Sequence, residues 1–297
     1  MPETLRGVDR DRLERSCTQR SGKAPRDWIR PTPGAPGLER AEVHLATVAF
    51  EPHRHDTYAI GITTEGIQTF TYRGTRRLCL PRQLHVLYPD ELHDGAAATS
   101  AGFGYRIVYV APELIRAALD GEELPFVADP VQNVTPSTRP LAQLLADVDE
   151  PIDELAQVDL VVAVADAVRA LGDRRSPDRA TFDVRAVERV REHLATHAAE
   201  QVPSSTLERI ADADRFTIAR HFRRIYGTSP DRYRTLRRVE AARRAIERGV
   251  PLVRAAHEAG FADQSHMTRQ FKRAYGLTPG RWLQVVAAGK PGRIPNS

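Results

Sequence analysis

One segment of the C-terminal part occurs twice, and this duplication constrains the fold more than any other feature of the sequence. Residues 216–233 align with residues 265–282 at an offset of 49, and seven of the eighteen aligned pairs are identical. A duplicated unit of this size indicates a repeated supersecondary element. The identical pairs are Arg220 and Arg269, Phe222 and Phe271, Arg224 and Arg273, Tyr226 and Tyr275, Gly227 and Gly276, Pro230 and Pro279, and Arg232 and Arg281.

Each copy carries the signals of an amphipathic helix of about three turns. An aspartate at the N-cap position, Asp214 or Asp263, precedes the helix, and Gly227 or Gly276 follows it as a stop signal. The apolar residues recur at every fourth position, which predicts one buried stripe per helix. They are Ile218, Phe222 and Tyr226 in the first copy and Met267, Phe271 and Tyr275 in the second.

A shorter helix is predicted before each copy, over Ser205–Ala211 and over Pro251–Ala259. Gly260 permits a tight turn and a close helix crossing in the second copy, and Asp212 stands at the corresponding place in the first. The sequence therefore predicts two helix-turn-helix units. Between them, Asp231 to Arg248 contains neither Gly nor Pro, so we expect a helix of roughly 27 Å that acts as a spacer.

Charge is segregated along the chain. Residues 181–297 hold 22 basic and 12 acidic side chains, whereas residues 1–180 hold 21 and 27. A basic domain joined to a mildly acidic one indicates a polyanionic partner, with nucleic acid as the first candidate. Because 40 of the 43 basic residues are arginine, an arginine-rich proteome is the alternative explanation.

Residues 206–282 resemble the twin helix-turn-helix DNA-binding domain of the AraC family of bacterial transcription regulators. The run from Ala259 to Arg273, followed by Gly276 and Thr278-Pro279, is similar to the signature of the second unit of that family. Asp214 to Arg223 with Gly227 to Pro230 is similar to the first unit. The resemblance extends over about 100 residues when the preceding helix, Val184–Ala198, is included.

The resemblance implies roles for individual side chains in binding double-stranded DNA. Arginine can bind guanine and glutamine can bind adenine through paired hydrogen bonds in the major groove, while other basic groups neutralise phosphates. The implied base contacts are Phe216, Ala219, Arg220, Gln264, Ser265, His266 and Arg269. The implied phosphate contacts are Arg223, Arg224, Lys272 and Arg273. Ile218, Phe222, Met267 and Phe271 are expected in the core. A solvated, charged helix face is the alternative for each exposed residue.

The N-terminal half reads as short strands separated by turns between Glu42 and Val110, which predicts a β-sandwich or a barrel. Two helical patterns follow, at Pro112–Leu119 and from Ile152 to Leu171. The apolar stripe of the second either packs on its own domain or pairs with a second copy of the chain. Residues 42–110 resemble the cupin-like, effector-binding and dimerisation barrel that precedes the DNA-binding domain in many AraC-type regulators.

Histidines and aromatic residues are the candidate lining of an effector pocket in this barrel. The candidates are His53, His55, Tyr58, Phe70, Tyr72, Tyr88 and His93. In catalytic cupins a His-x-His pair, a glutamate and a distal histidine hold a metal, but the expected glutamate position near Ala59 or Ile60 is apolar here. A metal on His53, His55 and His93 remains open, and histidines bonded to neighbouring polar groups are the preferred alternative. Core packing explains the aromatic residues equally well.

Other features limit the class of protein. No run of about 18 apolar residues exists and the first twenty residues lack the apolar centre of a secretory signal, so we expect a cytoplasmic protein with no membrane partner. With only Cys17 and Cys79, neither a disulfide framework nor a cysteine-based zinc site is expected. The absence of a cysteine cluster also disfavours a DNA-alkyl-repair protein.

The sequence thus predicts an α+β multidomain protein. We expect disorder over residues 1–25, a cupin-like domain over 26–172, a linker over 173–182, a double helix-turn-helix domain over 183–289, and a tail over 290–297. The expected function is DNA-binding transcription regulation by a homodimer, controlled by a small-molecule effector, with RNA polymerase as a further partner and no cofactor. A cupin metalloenzyme with an appended DNA-binding tail is the rival hypothesis.

Overall fold

A computed structural model describes residues 27–146, 148, 152–172 and 183–290. The expected disordered start, the expected linker and nearly all of the expected tail lie outside these residues, as does Cys17. Within them, no helix is long and apolar enough to cross a bilayer.

The N-terminal half consists of two antiparallel sheets that face each other. The strands are β1 (Trp28–Ala35), β2 (Leu38–Leu45), β3 (Phe50–His53), β4 (Tyr58–Gly66), β5 (Gln68–Tyr72), β6 (Thr75–Cys79), β7 (Gln83–Leu87), β8 (His93–Ala97), β9 (Phe103–Val110) and β10 (Val131–Asn133). One sheet has the order β1-β2-β9-β4-β7-β10, and the other has the order β3-β8-β5-β6. The expected β-rich, cupin-like domain is confirmed, but its strands form two separate sheets rather than a closed barrel.

Strand β1 is absent from the sequence-based prediction because Pro31, Pro33 and Gly34 stand where a strand would need regular hydrogen bonds. The structure places β1 at the edge of the six-stranded sheet, paired only with β2. One side of an edge strand needs no partner, so proline is tolerated there. The register between β1 and β2 also shifts between Thr32 and Ala35, as expected of an irregular edge.

Three helices cover the outer face of the six-stranded sheet: α1 (Pro112–Ala118), α2 (Arg139–Leu144) and α3 (Glu154–Leu171). The inner face of α3 is buried through Leu160, Val164 and Val168, which pack with the sheet. Its opposite face leaves Leu155 71% exposed and Val158 53% exposed. The predicted stripe therefore divides into a core side and a solvent side.

The C-terminal half contains helices and turns but no strand within the described residues. The two predicted helix-turn-helix units are confirmed. Its helices are α4 (Val184–Thr196), α5 (Ser204–Ala211), α6 (Arg215–Tyr226), α7 (Pro230–Glu247), α8 (Leu252–Glu258), α9 (Gln264–Tyr275) and α10 (Pro279–Gly289). Asp212 ends α5 in the left-handed conformation with φ of 50°, and Gly260 follows α8 with φ of 79°. Both predicted turns are thus present at the expected residues.

The two halves share one hydrophobic core, which the sequence does not predict. Residues from the inner faces of the sheets, such as Ile29 and Val43, pack in the same cluster as Leu236 of α7, Phe271 of α9 and Trp282 of α10. Helix α10 lies so close to β1 that a Cβ atom on Gly289 would be 2.2 Å from the carbonyl oxygen of Ile29. The sheet domain and the helical domain therefore pack as one unit in this conformation.

Candidate functional site

The two duplicated helices, α6 and α9, begin in the same way. The carboxylate of Asp214 accepts hydrogen bonds from the backbone N–H groups of Phe216 and Thr217, at 2.9 and 3.0 Å. The carboxylate of Asp263 accepts one from the N–H of His266 at 2.6 Å. These contacts satisfy N–H groups that a helix start leaves unpaired. Both predicted N-caps are confirmed.

Their C-terminal ends are also equivalent. Gly227 and Gly276 cap α6 and α9 with φ of 70° and 69°, in the left-handed region that favours glycine. The buried stripe is confirmed as well, because Phe222, Met267 and Phe271 are fully buried and Ile218 is 3% exposed. Each helix therefore presents the same opposite face outward.

The expected base contacts lie on that outward face or at its border. Phe216 is 70% exposed although it is a large apolar residue, and Arg220, Ser265 and Arg269 are exposed too. The half-buried members of the set are Ala219, Gln264 and His266. Phe216 therefore adds apolar surface to a face that is otherwise basic.

The expected phosphate contacts fall into two groups. Arg223 and Arg273 are exposed, whereas Arg224 and Lys272 form ion pairs with carboxylates of the sheet domain. Arg224 pairs with Glu123, and the Nζ of Lys272 lies 2.6 Å from Glu51. Contact of Arg224 or Lys272 with phosphates would have to compete with these ion pairs.

The last turn of α9 docks on strand β3. The backbone N–H of Glu51 donates to the carbonyl of Gly276 at 2.9 Å, and the N–H of Arg54 donates to the carbonyl of Arg273 at 3.0 Å. A Cβ atom on Gly276 would be 2.8 Å from Nδ1 of His53, so only glycine allows this approach. The second duplicated helix is thus attached directly to the strand that carries His53.

Helix α7 is more than the spacer that the sequence predicts. Arg237 binds Asp56 at 2.6 Å and Arg243 binds Glu39 at 2.6 Å, both across the boundary between the two domains. Arg232 donates to the carbonyl of Arg54 at 2.9 Å. The connecting helix is therefore fixed to the sheet domain by charged groups at three points along its length.

A cavity of about 930 Å³ lies between the sheets and the helical domain. Of the expected pocket residues, His53, His55, Phe70 and His93 line it. Tyr58, Tyr72 and Tyr88 lie elsewhere: the hydroxyl of Tyr58 donates to the carbonyl of Pro125, and that of Tyr72 accepts from the N–H of Tyr88. Tyr58 and Tyr88 pack with the cluster beneath the N-terminal helices, because strand residues alternate between faces. None of these three tyrosines therefore lines this cavity.

The histidines of the cavity are neutral at physiological pH. Burial lowers the pKa of His55 to about 3 and that of His93 to about 4, and neighbouring histidines lower the pKa of His53 and His55 further. The Nδ1 atoms of His53, His55 and His93 lie 2.8 to 2.9 Å from the carbonyls of Glu51, Thr57 and Glu91. A carbonyl only accepts, so each Nδ1 carries the proton.

The three rings are close together, with centroids 4.2 Å apart for His53 and His93 and 4.9 Å apart for His55 and His93. Even so, no group of three or more His, Cys, Asp or Glu side chains in the described part of the chain is arranged to hold a metal ion. The open metal hypothesis for His53, His55 and His93 thus finds no support in this arrangement.

Sequence reasoning missed several cavity residues. His85 on β7 and Gln68 on β5 line the cavity, and so do Tyr105 and Tyr109 of β9. The alternation of β7 and β9 could have indicated the strand residues that share an inner face. Residues from the helical domain, such as Arg237 and Tyr275, could not be found in this way, since they reach the cavity only through the packing of the domains.

Comparison with known proteins gives matches over both halves. The model of the AraC-like ligand binding domain matches residues 35–162, and the model of a helix-turn-helix domain matches residues 207–284. A curated relative is an uncharacterized HTH-type transcriptional regulator, YbfI, of Bacillus subtilis (strain 168). It is 27% identical over 223 residues, which cover 73% of this chain and 81% of the relative.

Among solved structures, ToxT from Vibrio cholerae O395 matches with a TM-score of 0.61 at 12% identity, covering 85% of this chain and 99% of that one. Unsaturated fatty acid bound wild-type ToxT from Vibrio cholerae strain SCE256 matches with a TM-score of 0.60 at 10% identity, covering 91% and 99%. At this identity the likeness shows a shared two-domain fold.

Proposed function

Since this chain belongs to the AraC family of transcription regulators, we propose that it reads two successive major grooves of one DNA duplex with α6 and α9. The observation that carries the proposal is the pair of equally capped helices with exposed basic faces. An aspartate caps the N-terminal, positive end of each helix. The side chains in the first turns after this cap are the ones that would reach base edges.

In this proposal the exposed faces divide into reading and positioning groups. Phe216, Ala219 and Arg220 read bases from α6, and Gln264, Ser265, His266 and Arg269 read them from α9. Arg223, Arg224, Lys272 and Arg273 bind phosphates. Base contacts specify sequence, whereas phosphate contacts fix the position of the protein on the duplex.

Alanine at Arg269 and alanine at Arg273 should have different effects on DNA binding. Arg269→Ala should cost about 1–3 kcal/mol at one base position and relax the preference there. Arg273→Ala should weaken binding to all sequences and reduce the salt dependence by about one phosphate contact. Both are exposed on α9, which makes them matched variants. Binding to randomised duplexes at several salt concentrations measures both effects, and equal behaviour of the two variants would show that the roles are misassigned.

The cavity between the domains is the proposed effector site. A molecule bound there would touch both the sheets and α7, and it would alter the docking of α9 on β3. Arg224 pairs with Glu123 and Lys272 pairs with Glu51 in the docked state. Because DNA phosphates would compete for these two cations, docking of the domains and DNA binding would be coupled. The fatty acid in the ToxT structure supports an effector role for a domain of this fold.

Loss of the Glu51 carboxylate should strengthen DNA binding. Glu51→Gln frees Lys272 for phosphate, and we expect affinity to rise several-fold at moderate salt. Glu65→Gln is the matched control, because it removes the same charge from the same domain at a residue that pairs with His44 instead. Fluorescence anisotropy with a fixed duplex measures the difference. An equal gain from both variants would indicate a general charge effect and contradict the proposed competition.

The exposed side of α3 is the proposed homodimer surface. Leu155, Val158 and Val162 are 71%, 53% and 43% exposed and follow one another on one helix face. Burial against a second copy would remove this apolar area from water. Sedimentation equilibrium tests the assignment with Leu155→Glu, which should shift the chain to monomers. A wild-type chain that is monomeric at micromolar concentration would contradict it.

The proposal also includes contact with RNA polymerase and action in the cytoplasm, where bacterial chromosomal DNA lies. Regulation by binding requires no catalytic step from this chain. Transcription reconstituted with purified polymerase tests the contact. An unchanged transcript level with the protein bound at its site would contradict it.

A further inference from the structure

The inner wall of the cavity carries polar atoms without partners. Oε1 of Gln68 and Nδ1 of His85 are buried and have no hydrogen-bond partner in the described part of the chain. Gln68 is 7% exposed and His85 is 2% exposed, and both line the cavity. Burial of such an atom without a partner costs free energy, so their presence in a cavity indicates a site for a ligand that supplies the missing hydrogen bonds.

Three further histidines of the cavity wall each offer a hydrogen-bond acceptor, the Nε2 atom. Each Nδ1–H of His53, His55 and His93 donates to a backbone carbonyl, which leaves Nε2 as a lone-pair acceptor in a neutral ring. Within the described residues, these Nε2 atoms have no hydrogen-bond partner. All three side chains line the cavity. The wall therefore offers several acceptors, and Gln68 Oε1 is one more.

The cations on the helix side of the cavity all have carboxylate partners. Arg237 binds Asp56 and Glu240, Arg243 binds Glu39, and Arg244 binds Glu240. Arg191 lies 3.7 Å from Glu113. Arg40 of β2 lines the cavity as well and is 3% exposed, and it is engaged in a contact of its own rather than being a free cation. The Nε–H groups of Arg237 and Arg243 are buried without an acceptor, although the charge of each guanidinium is already balanced by carboxylates. A ligand can supply an acceptor there with an uncharged oxygen such as a hydroxyl, whereas a carboxylate would add a negative charge beside the carboxylates already in place.

The rest of the wall is apolar. Ile29, Val43, Phe70, Leu87 and Ile107 line the cavity between the sheets. A ligand that fills this space gains from burial of an apolar body and must place its polar group against the histidines and Gln68.

We infer that the effector is an amphiphilic small molecule whose polar end carries hydrogen-bond donors, as a hydroxyl or an ammonium group, and no carboxylate. Its donors bind Nε2 of the cavity histidines and Oε1 of Gln68, and its apolar body lies between the sheets. This inference rests on the proposed effector role of the cavity and specifies the ligand that the cavity accepts.

Three probes with one decyl chain and different polar ends test the inference by isothermal titration calorimetry on the full chain. They are 1-decanol, decylamine and decanoate, used near neutral pH below their micelle concentrations. At least one of the first two should bind about tenfold or more tightly than decanoate, and the two separate a hydroxyl ligand from an ammonium ligand. Gln68→Leu should weaken that binding about tenfold, because it removes an acceptor and keeps the side-chain size.

Gln132→Leu on β10 is the control, since the amide of Gln132 donates to the carbonyl of Asp129 and the residue is not part of the cavity wall. Equal or tighter binding of decanoate overturns the inference, and so does the absence of binding by all three probes. Stoichiometric Zn²⁺ binding that His93→Phe abolishes and Gln68→Leu preserves also overturns it. In parallel, selection from randomised duplexes measures whether the ligand-free chain binds a specific DNA sequence. If the chain selects a sequence but binds neither decanol nor decylamine, this inference alone is refuted. If the chain selects no sequence, the proposed function is refuted.

Discussion

Lowering the pH from about 7.5 to about 5 is expected to destabilise the folded chain by several kcal/mol, because buried neutral histidines resist protonation. The pKa of His55 and that of His85 are lowered to about 3, and that of His93 to about 4, mainly by burial. In the unfolded chain each imidazole takes up a proton near pH 6.5. This contribution to stability is therefore full above that pH. It is lost as the pH falls from 6.5 to about 4 for His93 and to about 3 for His55 and His85.

The expected slope is large. Each such histidine contributes about 1.4 kcal/mol per pH unit once the pH lies below its unfolded pKa, so the three together reach the order of 4 kcal/mol per unit. Burial raises the pKa of Asp90 and of Glu113. The folded chain therefore binds protons at these carboxyls more readily than the unfolded chain, so they stabilise the fold as the pH falls, opposite to the histidines. The window above about pH 5 isolates the histidines best.

Urea unfolding at a series of pH values measures this slope. His85→Phe should reduce it by about one proton, because the ring of His85 is buried against Phe70 and Tyr105 and a phenyl ring replaces it without titrating. A stability that stays flat between pH 7 and 5, or a slope that His85→Phe leaves unchanged, would show that these histidines are not buried in neutral form.

Replacing Gly260 by alanine is expected to destabilise the chain by more than about 3 kcal/mol, which is at the upper end for a single methyl group. A Cβ atom there would lie 2.3 Å from the carbonyl oxygen and 2.6 Å from the Cα of Ala199. These are backbone atoms, so no side-chain rotation relieves the clash. The left-handed φ of 79° adds about 1–2 kcal/mol for any residue with a Cβ.

Gly249→Ala is the matched control for this prediction. Gly249 has a φ of 88°, and nothing lies within 4 Å of a Cβ built on it, so only the conformational cost of about 1–2 kcal/mol remains. Denaturant unfolding of both variants separates the two contributions. A similar loss in the free energy of unfolding at the two sites would contradict this prediction. It would mean that the turn of the second helix-turn-helix unit does not pack against the backbone of Ala199.

Local signals in the sequence were sufficient to predict the helical half. Asp214, Asp263, Gly227 and Gly276 specify where α6 and α9 begin and end, because capping depends on a few neighbouring backbone groups. Periodicity identified the buried stripe through Phe222 and Phe271. Which exposed residues touch DNA stays a prediction, since exposure alone does not identify the partner.

The packing of the two domains could not be predicted in this way. Lys272 and Glu51, or Arg224 and Glu123, are far apart in the sequence and carry no local sign of their pairing. The same holds for the docking of Gly276 on β3, which depends on the whole fold. Alternation predicts that aromatic residues lie on sheet faces, but it does not decide which face, and Tyr58 packs beneath the N-terminal helices rather than on the cavity side.

The central claim is that α6 and α9 bind one face of a duplex in successive major grooves. Hydroxyl-radical footprinting on a duplex selected by the purified chain tests it most directly. We expect two protected segments about one helical turn apart, ~10 base pairs, with Arg220→Ala weakening one segment and Arg269→Ala the other. A single short protected segment, or the same change in both segments from each variant, would contradict it.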